Sequence, residues 1–361
     1  MKKISLSLSL IITCMVAFSQ VNQVPFSQWD LSGAETSTVF LDGKEALKMK
    51  GIIFLKEVAF LNGTIDVDIH FSELRFFPGL DFRVQNRGNA ERFYVRPHQS
   101  GNPDANQYTP ILNRTAGWQL YAGERYAKAI DYEFDTWHHI RLEVFGDEVK
   151  IYFDDMSEPI IYTQLKGNFG AGGFALGAPR DFVHFANFSY EKSDRKSFEE
   201  QLEPVTAPEG IVAQWEISDL VHDSLFVDHQ IAAKDARGLT WQTVPVESEG
   251  LVNFSRYHLR SAGNNTVVAR LKIKSETNQI KKISFGASDR VGVYLNGKIL
   301  YSGIDNFRSR DYRFLGTIGL FDAVYLDLKK GDNEVWFVVQ EAFGGWGLQA
   351  TLEDREGIEL R

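Results

Sequence analysis

The sequence predicts an all-β protein of two antiparallel β-sandwiches joined by a short linker. Three observations lead there. Short stretches with an apolar residue at every second position recur along the chain, each bounded by Gly, Asn or Asp. No window sustains the 3.6-residue apolar period of an amphipathic helix. A count of 30 glycines with 13% aromatic residues suits many tight turns between strands.

Residues 1–19 read as a targeting segment. Lys2 and Lys3 precede an apolar run broken only by serines and one threonine, and Ala17-Phe18-Ser19 has the small-x-small pattern of a cleavage site. The run is too short and too rich in serine for a membrane span of about 20 apolar residues. Cys14 argues little for a lipid anchor, because Thr13 before it is larger than the usual Gly, Ala or Ser. The chain is therefore expected to be exported, to the periplasm, the cell surface or beyond. Loss of the segment removes the single cysteine and takes the net charge from −9 to −11. Each sandwich must then stand on its own core without disulfides. The acidic balance argues against nucleic acid and anionic membrane surfaces as partners.

The first sandwich is expected over residues 20–192. In Thr64-Ile65-Asp66-Val67-Asp68-Ile69-His70-Phe71 the apolar residues share one face, while Asp66, Asp68 and His70 share the other. Leu80-Asp81-Phe82-Arg83-Val84-Gln85 and Arg92-Phe93-Tyr94-Val95-Arg96 alternate in the same way. Trp137-His138-His139-Ile140-Arg141-Leu142-Glu143-Val144 turns at Phe145-Gly146-Asp147-Glu148 into Val149-Lys150-Ile151-Tyr152-Phe153, a hairpin by composition. Ala171-Gly172-Gly173-Phe174-Ala175-Leu176-Gly177 and Val183-His184-Phe185-Ala186-Asn187-Phe188-Ser189-Tyr190 close this half as two strands.

Residues 193–208, with charges, Pro204, Pro208 and a helical turn expected at 197–202, read as the linker. The second sandwich is expected over residues 209–361. Strands are expected at Ile211-Val212-Ala213-Gln214-Trp215, at Thr266 to Ile273, at Lys282 to Gly286 and at Val291 to Leu295. The last of these runs into an Asn296-Gly297 hairpin turn. Leu326-Asp327-Leu328 and Glu334-Val335-Trp336-Phe337-Val338-Val339 flank another turn.

Residues 93–126 stand apart. After the strand through Arg96 they show no strand or helix period, over a length beyond the roughly 12–15 residues that connections seldom exceed. Their content of Tyr108, Trp118, Leu120, Tyr121 and Tyr126 is too apolar for a disordered linker. A packed loop bearing aromatic faces, amides and guanidinium groups suits a sugar, which offers hydroxyls around its rim and C–H groups on its faces. The expected ligand-binding residues are Arg83, Tyr94, Arg96, His98, Asp104, Gln107, Tyr108, Trp118, Gln119 and Tyr121. On this expectation the outward residues of the three alternating strands floor one trough, with the loop over its edge. The plain alternative is a solvated face, which antiparallel sheets often have.

Two family resemblances emerge from these residues. Phe60-Leu61-Asn62-Gly63-Thr64-Ile65-Asp66-Val67-Asp68, the Trp137 to Val144 strand and His184-Phe185-Ala186-Asn187-Phe188-Ser189-Tyr190 resemble the laminin G-like, concanavalin A-type jelly roll of lectins, laminarinases and sugar-processing accessory domains. Asp289-Arg290-Val291-Gly292-Val293-Tyr294-Leu295-Asn296-Gly297-Lys298 and Lys330-Gly331-Asp332-Asn333-Glu334-Val335-Trp336-Phe337-Val338-Val339 resemble the galactose-binding-like sandwich that accompanies exported glycosidases. The second resemblance implies a non-catalytic accessory module, and the first implies a fold more than an activity.

In laminarinase-like members two glutamates on one strand act as nucleophile and acid/base. Here the corresponding stretch is Asp66-Val67-Asp68-Ile69-His70, and neither glutamate is present. Asp66 and Asp68 are the remaining catalytic candidates, about 7 Å apart along one strand face, with Asp104 or Glu124 as a further acid; the alternative is a pair of solvated aspartates. In the 3-keto-glycoside-hydrolase type of jelly roll, Arg83 or Arg96 would correspond to a ligand-facing arginine.

His138 and His139 are adjacent on a strand, point to opposite faces and do not readily share a metal ion. Asp154-Asp155 follows a strand, as calcium ligands sometimes do in laminin G-like domains, although two acids at a turn are usually plain turn residues. No other cofactor is implied. The stretches Phe307 to Gly316 and Phe343 to Gly347, with Arg308, Arg310 and Trp346, form a candidate secondary patch, unless Arg308, Arg310 and Arg313 pair with nearby acids and the Trp346 indole plugs the sandwich end. Gly-x-Ser-x-Gly, HExxH, P-loop and dinucleotide motifs are absent.

The reading is an exported protein that binds an oligo- or polysaccharide through its first sandwich. A glycoside hydrolase with a non-standard carboxylate pair is the alternative, and a purely structural surface protein is a third.

Overall fold

A computed structural model of the chain describes residues 22–55, 57–224, 238–311 and 314–361. The targeting segment, with Lys2, Lys3 and Cys14, lies outside the described residues, as does Arg313. Every strand pairing among the described residues is antiparallel. No helix among them is long and apolar enough to cross a membrane.

In the first half one hydrogen-bonded path runs through Ile161–Gln164, Glu148–Phe153, Thr136–Phe145, Gly63–Phe71, Gly173–Lys192, Gly79–Asn86, Asn89–Val95 and Asn106–Leu112. It is one sheet folded over on itself. The two closing strands expected from sequence are a single strand, Gly173–Lys192, whose register breaks between Ala178 and Val183. Its start pairs with Gly79–Asn86, and its end pairs with Gly63–Phe71. Lys44–Leu55 pairs along both portions and bends with it at Gly51, the partner of Ala178. Gly51 has φ +126, and a Cβ there would lie 2.4 Å from the Gly33 carbonyl oxygen, so only glycine fits the bend.

The two leaves enclose one core. Ile65, Val67, Ile69 and Phe71 come from one leaf, and Leu80, Phe82, Phe93 and Val95 from the other. Each such side chain contributes about 1.5–3 kcal/mol when fully buried. The outward faces of Gly63–Phe71 and Gly79–Asn86 therefore belong to opposite sides of the sandwich, and the single trough expected from sequence does not form.

The second half has an eight-stranded sheet, containing Gln214–Ser218, Asn264–Ser275, Gly331–Gln340, Arg290–Leu295 and Lys298–Ile304. A four-stranded sheet is made of Leu251–Asn253, Gly347–Thr351, Gln279–Ser288 and Asp322–Leu328. Val267, Leu271, Val293 and Phe337 of the first sheet and Phe285, Leu326 and Leu348 of the second share a core. Asp322–Leu328 and Gly331–Gln340 are consecutive in the chain yet lie in different sheets.

Trp346 is fully buried in this core, and its indole N–H donates to the Val339 carbonyl at 3.1 Å. Arg310 is engaged by Asp305 and Asp322, and Arg308 stacks on the neighbouring Phe307 ring at 4.9 Å. The secondary patch of Arg308, Arg310 and Trp346 is thus not assembled: its indole is a core residue and Arg310 is ion-paired.

Residues 193–208 contain no helix. They lie against the first half, with the Phe198 ring 4.9 Å from Phe145 and 5.4 Å from Tyr162. The segment expected to be one long irregular loop contains the strand Asn106–Leu112, in which all seven residues are buried. With both faces covered the strand has no reason to alternate, which is why the pattern hid it.

The turn at residues 117–121 reaches the second half. Gln119 donates its backbone N–H to Gly344 O at 2.9 Å and its side-chain amide to Leu315 O at 2.9 Å. Tyr121 donates its hydroxyl to Glu247 at 2.7 Å, and Tyr126 donates to Glu249 at 2.7 Å. The Lys166 ammonium reaches Glu249 at 2.8 Å.

Candidate ligand-binding site

The site is built on the Asn89–Val95 strand. Alternation sends Phe93 and Val95 into the core and leaves Arg92, Tyr94 and then Arg96 on the outer face. Arg92 forms a two-bond pair with Asp81, its register partner on the adjacent strand, at 2.6 and 2.8 Å. Tyr94 faces Gln107 on the other side and donates its hydroxyl to Gln107 Oε1 at 3.1 Å. Arg96 donates to Gln107 Oε1, to the Tyr94 hydroxyl and, at 2.7 Å, to the Asp104 carbonyl. Gln107 in turn donates to the Trp118 carbonyl at 2.8 Å and the Tyr121 carbonyl at 2.5 Å, which fixes the turn that carries Trp118.

Above this floor lies a cavity of about 410 Å³. Tyr94, Arg96, His98, Asp104 and Trp118 line it, so five of the ten expected ligand-binding residues converge. Gln107 is buried directly beneath as a support. The remaining walls come from distant parts of the chain: Arg75 and Phe77 from one loop, Arg180 from the bend in Gly173–Lys192, and Phe307, Leu315 and Phe343 from the second half. Arg92 also lines the cavity. The stretches that hold Phe307, Leu315 and Phe343, expected from sequence to form a separate patch, instead wall this cavity. Arg75, Phe77, Arg92 and Arg180 were passed over because tertiary topology alone brings them here.

The rings form a collar. Trp118 meets Phe343 at 5.7 Å and Phe307 at 6.5 Å, both edge-on. Phe77 meets His98 at 5.3 Å and Tyr94 at 6.3 Å. The Arg96 guanidinium lies 5.6 Å from the Trp118 ring and that of Arg180 lies 5.6 Å from Phe77. Phe343 is 59% exposed, an apolar face open to a ligand. Burial lowers the His98 imidazole pKa, and the charges of Arg75, Arg96 and Arg180 push it the same way against Asp104. Burial also raises the Tyr94 hydroxyl, with Arg96 and Arg92 opposing.

Four expected site residues go elsewhere. Arg83 has φ +48, which breaks the alternation of its strand. Its side chain is buried and donates to Leu61 O at 2.9 and 2.7 Å and to Gly146 O at 2.6 Å. Tyr108 is in the core and donates its hydroxyl at 2.6 Å to Glu91, whose carboxyl burial pushes up to about 7. Gln119 and Tyr121 are buried at the contact between the halves. These four are structural supports, because their polar atoms are spent on internal partners.

Asp66 and Asp68 lie on the opposite leaf. His139 bridges them, at 2.9 Å to Asp66 and 2.6 Å to Asp68. Arg141 binds Asp66 at 2.8 Å, and Lys44 binds Asp68 at 2.7 Å. Burial alone would raise the Asp68 carboxyl, but hydrogen bonds from His139, Lys44 and Asn187 hold it at about 2. Burial likewise opposes His139 and Arg141 at Asp66, and the net shift is downward. Their carboxylate oxygens are taken up by His139, Arg141, Lys44 and Asn187, so the Asp66/Asp68 pair is an ion-pair cluster, and it lies on the leaf opposite the strand that leads to Asp104. Glu124 is exposed.

His138 and His139 do point to opposite faces. His138 stacks on Phe71 at 4.9 Å inside the sandwich and pairs with Asp154 at 2.7 Å. Asp155 accepts the backbone N–H and hydroxyl of Ser157 at 2.8 and 2.6 Å. The expected calcium acids therefore serve a histidine and a turn. Among the described residues no group of three or more His, Cys, Asp or Glu is placed to hold a metal ion. A second cavity, of about 470 Å³, is lined by Lys166, Glu247 and Arg256, which are bonded to one another.

No protein-family model matches the chain, and no curated protein sequence matches it. Among solved structures, carbohydrate-binding module CBM66 from Bacillus subtilis is similar at 19% identity with a TM-score of 0.36, over 46% of this chain and 96% of that one. A Bacillus subtilis protein of unknown function with a galectin-like fold is similar at 14% identity and a TM-score of 0.33, over 47% of this chain and 91% of that one. A glycosyl hydrolase family protein from Mycobacterium fortuitum is similar at 11% identity and a TM-score of 0.31, over 47% of this chain and 93% of that one.

Proposed function

We propose that this chain is an exported carbohydrate-binding protein whose site is the cleft between the first sandwich and the loops of the second. One observation carries the reading: Phe77, Tyr94, Trp118 and Phe343 surround the same 410 Å³ cavity as Arg92, Arg96 and His98. Rings that can lie against sugar C–H faces, beside donors held in fixed directions, are what a saccharide requires. Export rests on the leader pattern of residues 1–19, and the division into modules 20–192 and 209–361 on the two main core clusters, the first of which also takes in Leu251 from the second half. The site needs both modules, since Phe307, Leu315 and Phe343 belong to the second.

Hydrolysis is the less favoured reading. Asp104 is the one carboxylate among the residues lining the cleft, where cleavage by the usual route takes two. The test is binding of the protein to an array of oligosaccharides, followed by titration of the best-bound sugar against the Trp118→Ala variant. Binding that the variant weakens supports the reading, and no binding to any sugar overturns it.

A further inference from the structure

The cleft is strongly cationic in a protein whose net charge is −9. Four arginines line it, at positions 75, 92, 96 and 180, against the one aspartate at 104. Two of the four are accounted for. Arg92 is neutralised by Asp81 behind it, and Arg96 lies 3.7 Å from the Asp104 carboxylate. Arg75 and Arg180 are exposed and have no carboxylate partner among the described residues. Both charges reach the same imidazole, His98.

Arg180 is also held at a backbone cost. It sits in the bend of the Gly173–Lys192 strand with φ +92, a region that L side chains avoid. There its guanidinium is presented over Phe77, at 5.6 Å, on the cleft wall. A protein with this net charge repels anions at long range, so a local excess of positive charge in a concave, partly apolar site has to be built in. Guanidinium groups pair with planar or tetrahedral oxyanions through parallel N–H donors, a geometry that a neutral hydroxyl does not match.

Resting on the carbohydrate reading, we propose that the ligand is an acidic sugar, with its carboxylate or sulfate group seated between Arg75 and Arg180 and its ring against Trp118 and Phe343.

The experiment compares neutral, carboxylated and sulfated glycans on one array. The best-bound acidic sugar is then titrated against its uncharged counterpart, carboxyl-reduced or desulfated. The same titrations use Arg75→Gln and Arg180→Gln, both at exposed positions, and the Trp118→Ala variant. Acidic sugars are expected to bind best, to lose about tenfold when uncharged and again about tenfold in either arginine variant, and to weaken as salt rises. Whether carboxylated or sulfated glycans lead the array identifies the oxyanion. Binding of neutral sugars with equal strength, weakened by Trp118→Ala but not by either arginine change, overturns the acidic ligand and leaves the carbohydrate reading standing. Silence across all three classes overturns both.

Discussion

The Arg96 guanidinium lies 4.8 Å from the centre of the Tyr94 ring while donating to the Tyr94 hydroxyl. Two residues apart on one strand face, they share Gln107 as a common acceptor, so the cleft floor is a closed hydrogen-bonded unit. Arg96→Lys keeps the charge but loses the fork that reaches three acceptors at once. The expected cost is about 1–3 kcal/mol in urea unfolding, and unchanged stability would show that the unit contributes nothing.

Trp118→Ala and Phe343→Ala test the collar. Stacking beyond area burial is worth about 0.5–1.5 kcal/mol, so each change should weaken sugar binding by roughly 2- to 12-fold. Phe343 is 59% exposed, so its truncation should leave the melting temperature where it is. A collapse in stability with Phe343→Ala would mean that the ring supports the fold.

His139 makes the stability pH-dependent. Hydrogen bonds to Asp66 and Asp68 raise its imidazole from 6.5 to about 9, against burial. The stabilisation is therefore complete below pH 6.5 and is lost as pH rises through about 9. The ring is partly exposed, and solvent screening leaves a loss of about 1 kcal/mol. His139→Asn should flatten the unfolding free energy over that window relative to the parent; parallel curves would refute the cluster's role.

Glu249 gives the opposite sign. Burial would raise its carboxyl, but hydrogen bonds from Lys166 and Tyr126 bring it from 4.5 down to about 2. That stabilisation is present above pH 4.5 and is lost as pH falls through about 2. Glu249→Gln should cost about 1–2 kcal/mol at neutral pH, after allowance for screening, with the penalty shrinking on acidification. A penalty that stays constant with pH would point to packing instead of charge.

Trp346→Ala should cost about 3–5 kcal/mol, as for a large buried aromatic, by chemical denaturation. A cost near zero would return the indole to the surface patch.

Much of the fold was legible because half-buried strands announce themselves. Gly63–Phe71, the pair Thr136–Phe145 and Glu148–Phe153, and the Asn296-Gly297 turn all follow from alternation and turn chemistry. Asn106–Leu112 escaped because burial on both faces removes the alternation. Arg83 misled because a left-handed residue turns its side chain inward, which no pattern of residue types reveals. Of the site, the portion on one strand and its following loop was readable. Arg75 and Arg180 were not, nor was the joining of Phe343 to this cavity instead of a separate patch, since their proximity depends on how the strands cross over and where the second half docks.

The Gly173–Lys192 strand is the seam shared by both leaves, and it is the last strand of the first half to be made. During synthesis a nascent chain that ends before it holds three separate groups of paired strands, because Lys44–Leu55 too is joined to the rest only through this strand, and their open edges have nothing to pair with except other chains. Ribosome-stalled products that stop short of residue 173 should therefore clump or recruit chaperones, whereas those that expose residue 192 should gain protease resistance in one step.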